Sequence, residues 1–141
     1  MNNEWEDVPV NVKFKISALW IVTLFIFAYV DIFLFYKLGF IEDLMRGRVA
    51  NFNIDESFLL LTTLYISIPS FMVFVSLVAP VKANRRLNFW VCSFYIITIL
   101  LSLIGENSLF YIFGSVVESL LLLSIIRYAL KWPRQTLQPV C

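Results

Sequence analysis

Asp31 and Glu118 are the residues of this chain best placed to do chemistry, because each stands inside a long apolar run. An ionisable side chain costs roughly 2.5 to 3.5 kcal/mol at the centre of a membrane helix, and marks an ion path, a proton relay or a ligand site by default. Two carboxyls sharing one site can trade a proton for a cation, which is the physical basis of any proton-linked binding. The competing reading is structural: Asp31 reaches the outer interface or accepts a hydrogen bond, and Glu118 is a hydrogen-bonded strut between helices.

The elements that position these groups follow from four apolar runs, Ile16 to Tyr36, Phe58 to Val78, Phe89 to Ile104 and Leu109 to Leu130. The third is extended by Asn88 and Gly105. Each approaches the ~20 residues that cross the hydrocarbon core at ~1.5 Å per residue. With 60% hydrophobic and 15% charged residues, the chain has too little polar surface to meet water around four such helices. The expected fold is therefore a single all-α domain over 1–141, an integral membrane four-helix bundle with helices at about 16–36, 58–78, 88–105 and 109–130. The first run is too long for a signal-peptide core and follows the acidic Glu4, Glu6 and Asp7, so it reads as a retained helix.

Lys13, Lys15, Lys82, Arg85, Arg86, Arg127, Lys131 and Arg134 fall on one side of these runs, against Lys37, Arg46 and Arg48 on the other. The excess marks the cytoplasmic side, so both termini are expected inside, with flexible tails at 1–15 and 132–141. Arg127, Lys131 and Trp132 then anchor the last helix at the inner interface. The inner loop, Pro80 to Asn88, is basic and suits anionic headgroups. In the outer loop, Phe40, Ile41, Leu44 and Met45 have helical spacing opposite Glu42, Asp43 and Arg46, which predicts a short amphipathic segment closed by Gly47.

Helical periodicity gives every run a polar stripe: Ser17, Trp20 and Asp31 with Thr23 at the edge; Thr63, Ser67 and Ser70 around Pro69; Asn88, Cys92, Tyr95 and Ser102; Tyr111, Gly114, Ser115 and Glu118. Turned inward, these stripes place Asp31 ~7 to 8 Å and Glu118 ~2 Å outside the midplane, close enough to share one outward cavity. The candidate ligand or proton site is Asp31, Glu118, Tyr95, Tyr111, Ser115, Ser67, Thr23 and Trp20, with Trp90 as a further aromatic wall. Pro69 removes the hydrogen bond to the carbonyl of Tyr65, four residues earlier.

The segments Tyr29-Val30-Asp31-Ile32, Gly39-Phe40-Ile41-Glu42, Ile68-Pro69 with Met72 and Ser76, Ala83-Asn84-Arg85 with Asn88, and Tyr111-Ile112-Phe113 through Glu118 to Trp132 give the chain a resemblance along nearly its whole length. It resembles a family of small bacterial four-helix membrane proteins known as a domain of unknown function. That family often carries a glutamate before the Ile-Pro of its second helix, where this chain has Ser67. The resemblance implies a bacterial inner (plasma) membrane location and transfers no activity.

Chemistry based on histidine is excluded, because the chain has none; His-based triads, most zinc sites and haem ligation go with it. Cys92 and Cys141 form no Cys-x-x-Cys pair, and the four glycines are too scattered for a phosphate loop. No metal or cofactor is expected, no nucleic acid, and no enzyme beyond an acid/base reaction on a lipid using Asp31 and Glu118. Two functions compete. One is a small-molecule or proton-linked binding or carrier protein; the other is an accessory protein that docks a larger membrane partner or a second copy through its apolar faces.

Overall fold

The structure, a computed structural model, describes residues 9–49 and 52–133. Asn11 opens the first helix, α1 (Val12–Leu34), by accepting the amide of Lys13 at 2.9 Å. That is a turn earlier than the apolar run suggests. The Lys13 ammonium reaches the carbonyls of Leu77 (3.1 Å) and Ala79 (2.8 Å), where a cation neutralises the negative end of a helix. The expected amino-terminal tail thus shortens, and in the expected tail at 132–141 Trp132 packs against the core; residues 1–8 and 134–141 of the two tails lie outside the described residues.

Gly39, at φ 85°, turns the chain into α2 (Phe40–Met45), the expected amphipathic segment. Two short strands follow, β1 (Arg48–Val49) and β2 (Phe52–Asn53), paired antiparallel with Arg48 opposite Asn53. Asp55 then caps α3 (Glu56–Val78), accepting the amide of Phe58 at 2.7 Å.

The next helix, α4 (Val81–Ser102), corrects the expected inner loop. Residues 81–88 are its first two turns, because Asn84 and Asn88 continue one buried stripe with Cys92, Tyr95 and Ile99 at helical spacing. A reading keyed to apolar side chains stops at Phe89; the asparagines are inside because they are paired. The Trp20 indole donates to Asn88 Oδ1 at 2.7 Å, Asn88 Nδ2 donates to Asn84 Oδ1 at 2.6 Å, and Asn84 Nδ2 to the carbonyl of Ser76 at 2.6 Å. This buried chain of amides ties α1, α3 and α4. The last helix, α5 (Leu109–Leu130), turns Gly114, Ser115, Glu118, Leu122, Ile125 and Ala129 inward.

α1 packs against α3 and α5, α4 packs against α5, and α3 meets α4 through a smaller seam. α1, α3 and α5 are each long and apolar enough to cross a membrane. α4 has the length, but Lys82, Arg85 and Arg86 in its first turns set it apart. Outward, the helices present large apolar side chains such as Phe25, Leu60, Phe71, Leu100 and Phe113.

Opposite the buried amides, Lys37 pairs with Glu106 at 3.0 Å, joining the end of α1 to the α4–α5 turn. Glu106 also accepts the amides of Asn107 (2.9 Å) and Ser108 (2.8 Å). The Ser108 side chain first, then that amide, then Lys37 and the Asn107 amide, outweigh partial burial and hold its carboxyl at about 2, below the ordinary 4.5. A carboxyl depressed on folding adds stability that is complete above its unfolded value and is lost as pH falls through its folded one. The melting-temperature gap between wild type and Glu106→Gln should therefore be constant above about pH 4.5 and close between there and about pH 2. A gap that persists at the acid end would assign the effect to packing.

Candidate functional site

Asp31 and Glu118 line the same cavity, of about 280 Å³, built where α1 ends, α3 begins, α4 ends and α5 begins. Phe27, Tyr65 and Tyr111 give it aromatic walls, and Thr62, Thr98 and Ser102 give it hydroxyls. Asp31 is exposed at the mouth, while Glu118 sits inside at 5% exposure.

The hydroxyls are already occupied. Tyr65 and Thr98 share a hydrogen bond of 2.7 Å, Thr98 also donates to the carbonyl of Tyr95 at 2.9 Å, and Tyr111 donates to Ser102 at 3.2 Å. The carboxylates are not: neither Asp31 nor Glu118 makes a side-chain hydrogen bond or ion pair among the described residues. No fully buried side-chain oxygen there lacks a partner, so the Glu118 oxygens must open into the cavity. Among the described residues, no lysine or arginine lines it. The arrangement is an aromatic-walled pocket with two unneutralised acids, suited to hold a cation or protons and lacking any nucleophile–base pair.

Of the other candidates, Tyr111 alone lines this cavity. Trp20 is spent on Asn88, and Thr23, fully buried, donates to the carbonyl of Leu19 at 2.8 Å. The Tyr95 hydroxyl donates to the carbonyl of Tyr65, the one that Pro69 leaves free. Ser115 is buried outside the lining. Ser67 does not line the cavity; it lines an adjoining groove with Thr63 and Ser70, which shares Thr62 and Ile66 with the cavity. That stripe can do without a neighbouring helix, since each hydroxyl bonds back one turn, Thr63 to Leu59, Ser67 to Thr63 and Ser70 to Ile66. Trp90 points outward, 70% exposed. Sequence periodicity passed over Tyr65, Thr62 and Thr98, which supply α3 and α4 walls; the usable signal was Pro69, whose orphaned carbonyl lies at Tyr65.

No group of three or more cysteine, aspartate or glutamate side chains among the described residues could hold a metal ion. Fold and site together define a small all-helical protein with helices of membrane-spanning length around an acidic cavity. The chain belongs to the family described as "Family of unknown function (DUF6326)", whose model matches residues 3–139. No curated protein and no solved structure matches it.

Proposed function

We propose that this chain is a four-span bacterial inner-membrane protein, both termini cytoplasmic, whose cavity binds a small organic cation in exchange for protons. The unneutralised pair Asp31 and Glu118 in one pocket carries the reading. A carboxylate in a low-dielectric site needs a counter-ion or a proton, and among the described residues no lysine or arginine lines the cavity to serve. Proton and ligand thus compete for the same oxygens. Phe27, Tyr65 and Tyr111 add faces that attract cations, and the volume suits a small amine or quaternary ammonium. Four spans follow if the basic first turns of α4 lie in the headgroup region, and the Lys and Arg bias puts that end in the cytoplasm.

The test is titration of the detergent-solubilised protein with benzyltrimethylammonium in weakly buffered solution, reading heat and released protons. Wild type should bind, tighter at higher pH, and release protons on binding. Glu118→Gln should weaken binding roughly 10- to 100-fold, the range for one lost charged contact. Asp31→Asn at the exposed mouth should do less. No proton release from wild type, or unchanged affinity in Glu118→Gln, would sink the cation site and leave the accessory, partner-docking role.

A further inference from the structure

We infer that the basic end of α4 carries a site for one anionic phospholipid, its phosphate held by Lys82 and Arg86 and its acyl chains laid along the outer face of the helix. Lys82, Arg85, Arg86, Phe89, Trp90 and Leu130 line a groove of about 420 Å³ that is separate from the acidic cavity. Arg85 has a structural task, donating through Nε to the carbonyl of Ala129 at 2.9 Å and through Nη2 to that of Leu130 at 3.3 Å, which fixes α4 to the end of α5. Lys82 and Arg86 have none: both are exposed and neither makes a hydrogen bond or ion pair among the described residues. Among the described residues, no carboxylate lines the groove.

The order of chemistry along the helix selects the ligand. Lys82, Arg86 and Trp90 follow one another at intervals of four, so they stack on one face over roughly 12 Å. Trp90 is 70% exposed, and Phe94, Ile97 and Leu101 continue that face outward at helical spacing. Cation, then indole, then aliphatic and aromatic surface is the order a phospholipid presents as phosphate, glycerol and acyl chain. A free phosphate would use the first turn and leave the rest unexplained. The site differs from a general positive surface in pairing its two free cations with an apolar track.

Native mass spectrometry of the full chain, released from detergent with equal phosphatidylglycerol and phosphatidylcholine of identical acyl chains, reads the choice directly by mass. Wild type should retain phosphatidylglycerol roughly tenfold over phosphatidylcholine. Lys82→Gln with Arg86→Gln should bring the ratio near one, while Arg127→Gln with Lys131→Gln, an equal charge loss at the end of α5, should leave it. Trp90→Ala should lower retention of phosphatidylglycerol several-fold with α4 otherwise intact. Equal retention of both lipids by wild type overturns the site, as does an equal drop in both charge pairs, which would mean a diffuse surface potential. Displacement of the lipid by an inorganic phosphate adduct would make the free anion the ligand, and a lipid-free dimer would give the face to a second copy; either overturns the assignment.

Discussion

Gly114→Leu should separate α1 from α5 and cost at least ~3 kcal/mol, the upper range for forcing atoms into a packed seam. A side chain begun at Gly114 would overlap Cγ2 of Val30, with the rest of that side chain also in contact. Valine cannot swing aside, since a β-branched residue in a helix holds essentially one rotamer. Val30 also precedes Asp31, so a displaced α1 carries the mouth of the cavity away from Glu118. The variant should lose benzyltrimethylammonium binding as well as stability. Gly114→Ala isolates the steric part: its helix-propensity gain of ~1 kcal/mol opposes the overlap, and Val30→Ala should restore what is lost. Equilibrium unfolding in mixed detergent micelles measures all three. If Gly114→Leu melts with wild type, Val30 is not the contact that sets the α1–α5 distance.

The same seam shows what the sequence made legible and why. Glu118 and Asp31 were found because a charge in an apolar run stands out against its neighbours, and two helices whose polar stripes turn inward bring them to one cavity. Asn84 was missed because a buried amide looks like a loop residue until its partners are known. Those partners, Ser76 and Asn88, are 8 and 4 residues away and belong to two helices, so only the fold reveals that the set is satisfied. Ser67 misled for the opposite reason: its need for a partner is met within α3, by Thr63 at 2.7 Å, and its polarity says nothing about which way it faces. Counting donors that a helix cannot satisfy by itself separates the two cases. The Trp20 indole and the Asn84 amide reach a different helix for their acceptors, whereas the Ser67 hydroxyl closes on its own.

That distinction explains how the site is held. For helices long and apolar enough to cross a membrane, lipid is as good a neighbour as leucine, so polar ties between them are what specify an arrangement there. One set, Trp20–Asn88–Asn84–Ser76 with Lys13 and Arg85 on helix ends, fixes the basic half. The other, Tyr65–Thr98 and Tyr111–Ser102, frames the cavity, where Asp31 and Glu118 make no side-chain hydrogen bond or ion pair among the described residues. Polarity that is spent holds the fold; polarity that is unspent marks the candidate site.

Tyr95→Phe should destabilise the protein by about 1 to 3 kcal/mol, the cost of leaving a buried carbonyl without a donor. The carbonyl is that of Tyr65, which loses its helical partner because residue 69 is proline, and the Tyr95 hydroxyl takes the vacant position from α4. The same contact holds the Tyr65 ring, whose centroid lies 4.7 Å from that of Tyr95, against Thr98 at the cavity wall. The cause can be separated from ordinary packing loss by a double-mutant cycle. In a Pro69→Ala background, residue 69 regains an N–H that can donate to Tyr65, so removing the Tyr95 hydroxyl should cost less than it does in wild type, giving a coupling of up to ~2 kcal/mol between residues on different helices. Equal costs in the two backgrounds would show that the hydroxyl stabilises the core by some route other than the proline-freed carbonyl. A coupling of the expected sign would show that the proline of α3 and the tyrosine of α4 act as one device, and that the wall facing Glu118 is positioned by a hydrogen bond the helix itself cannot make.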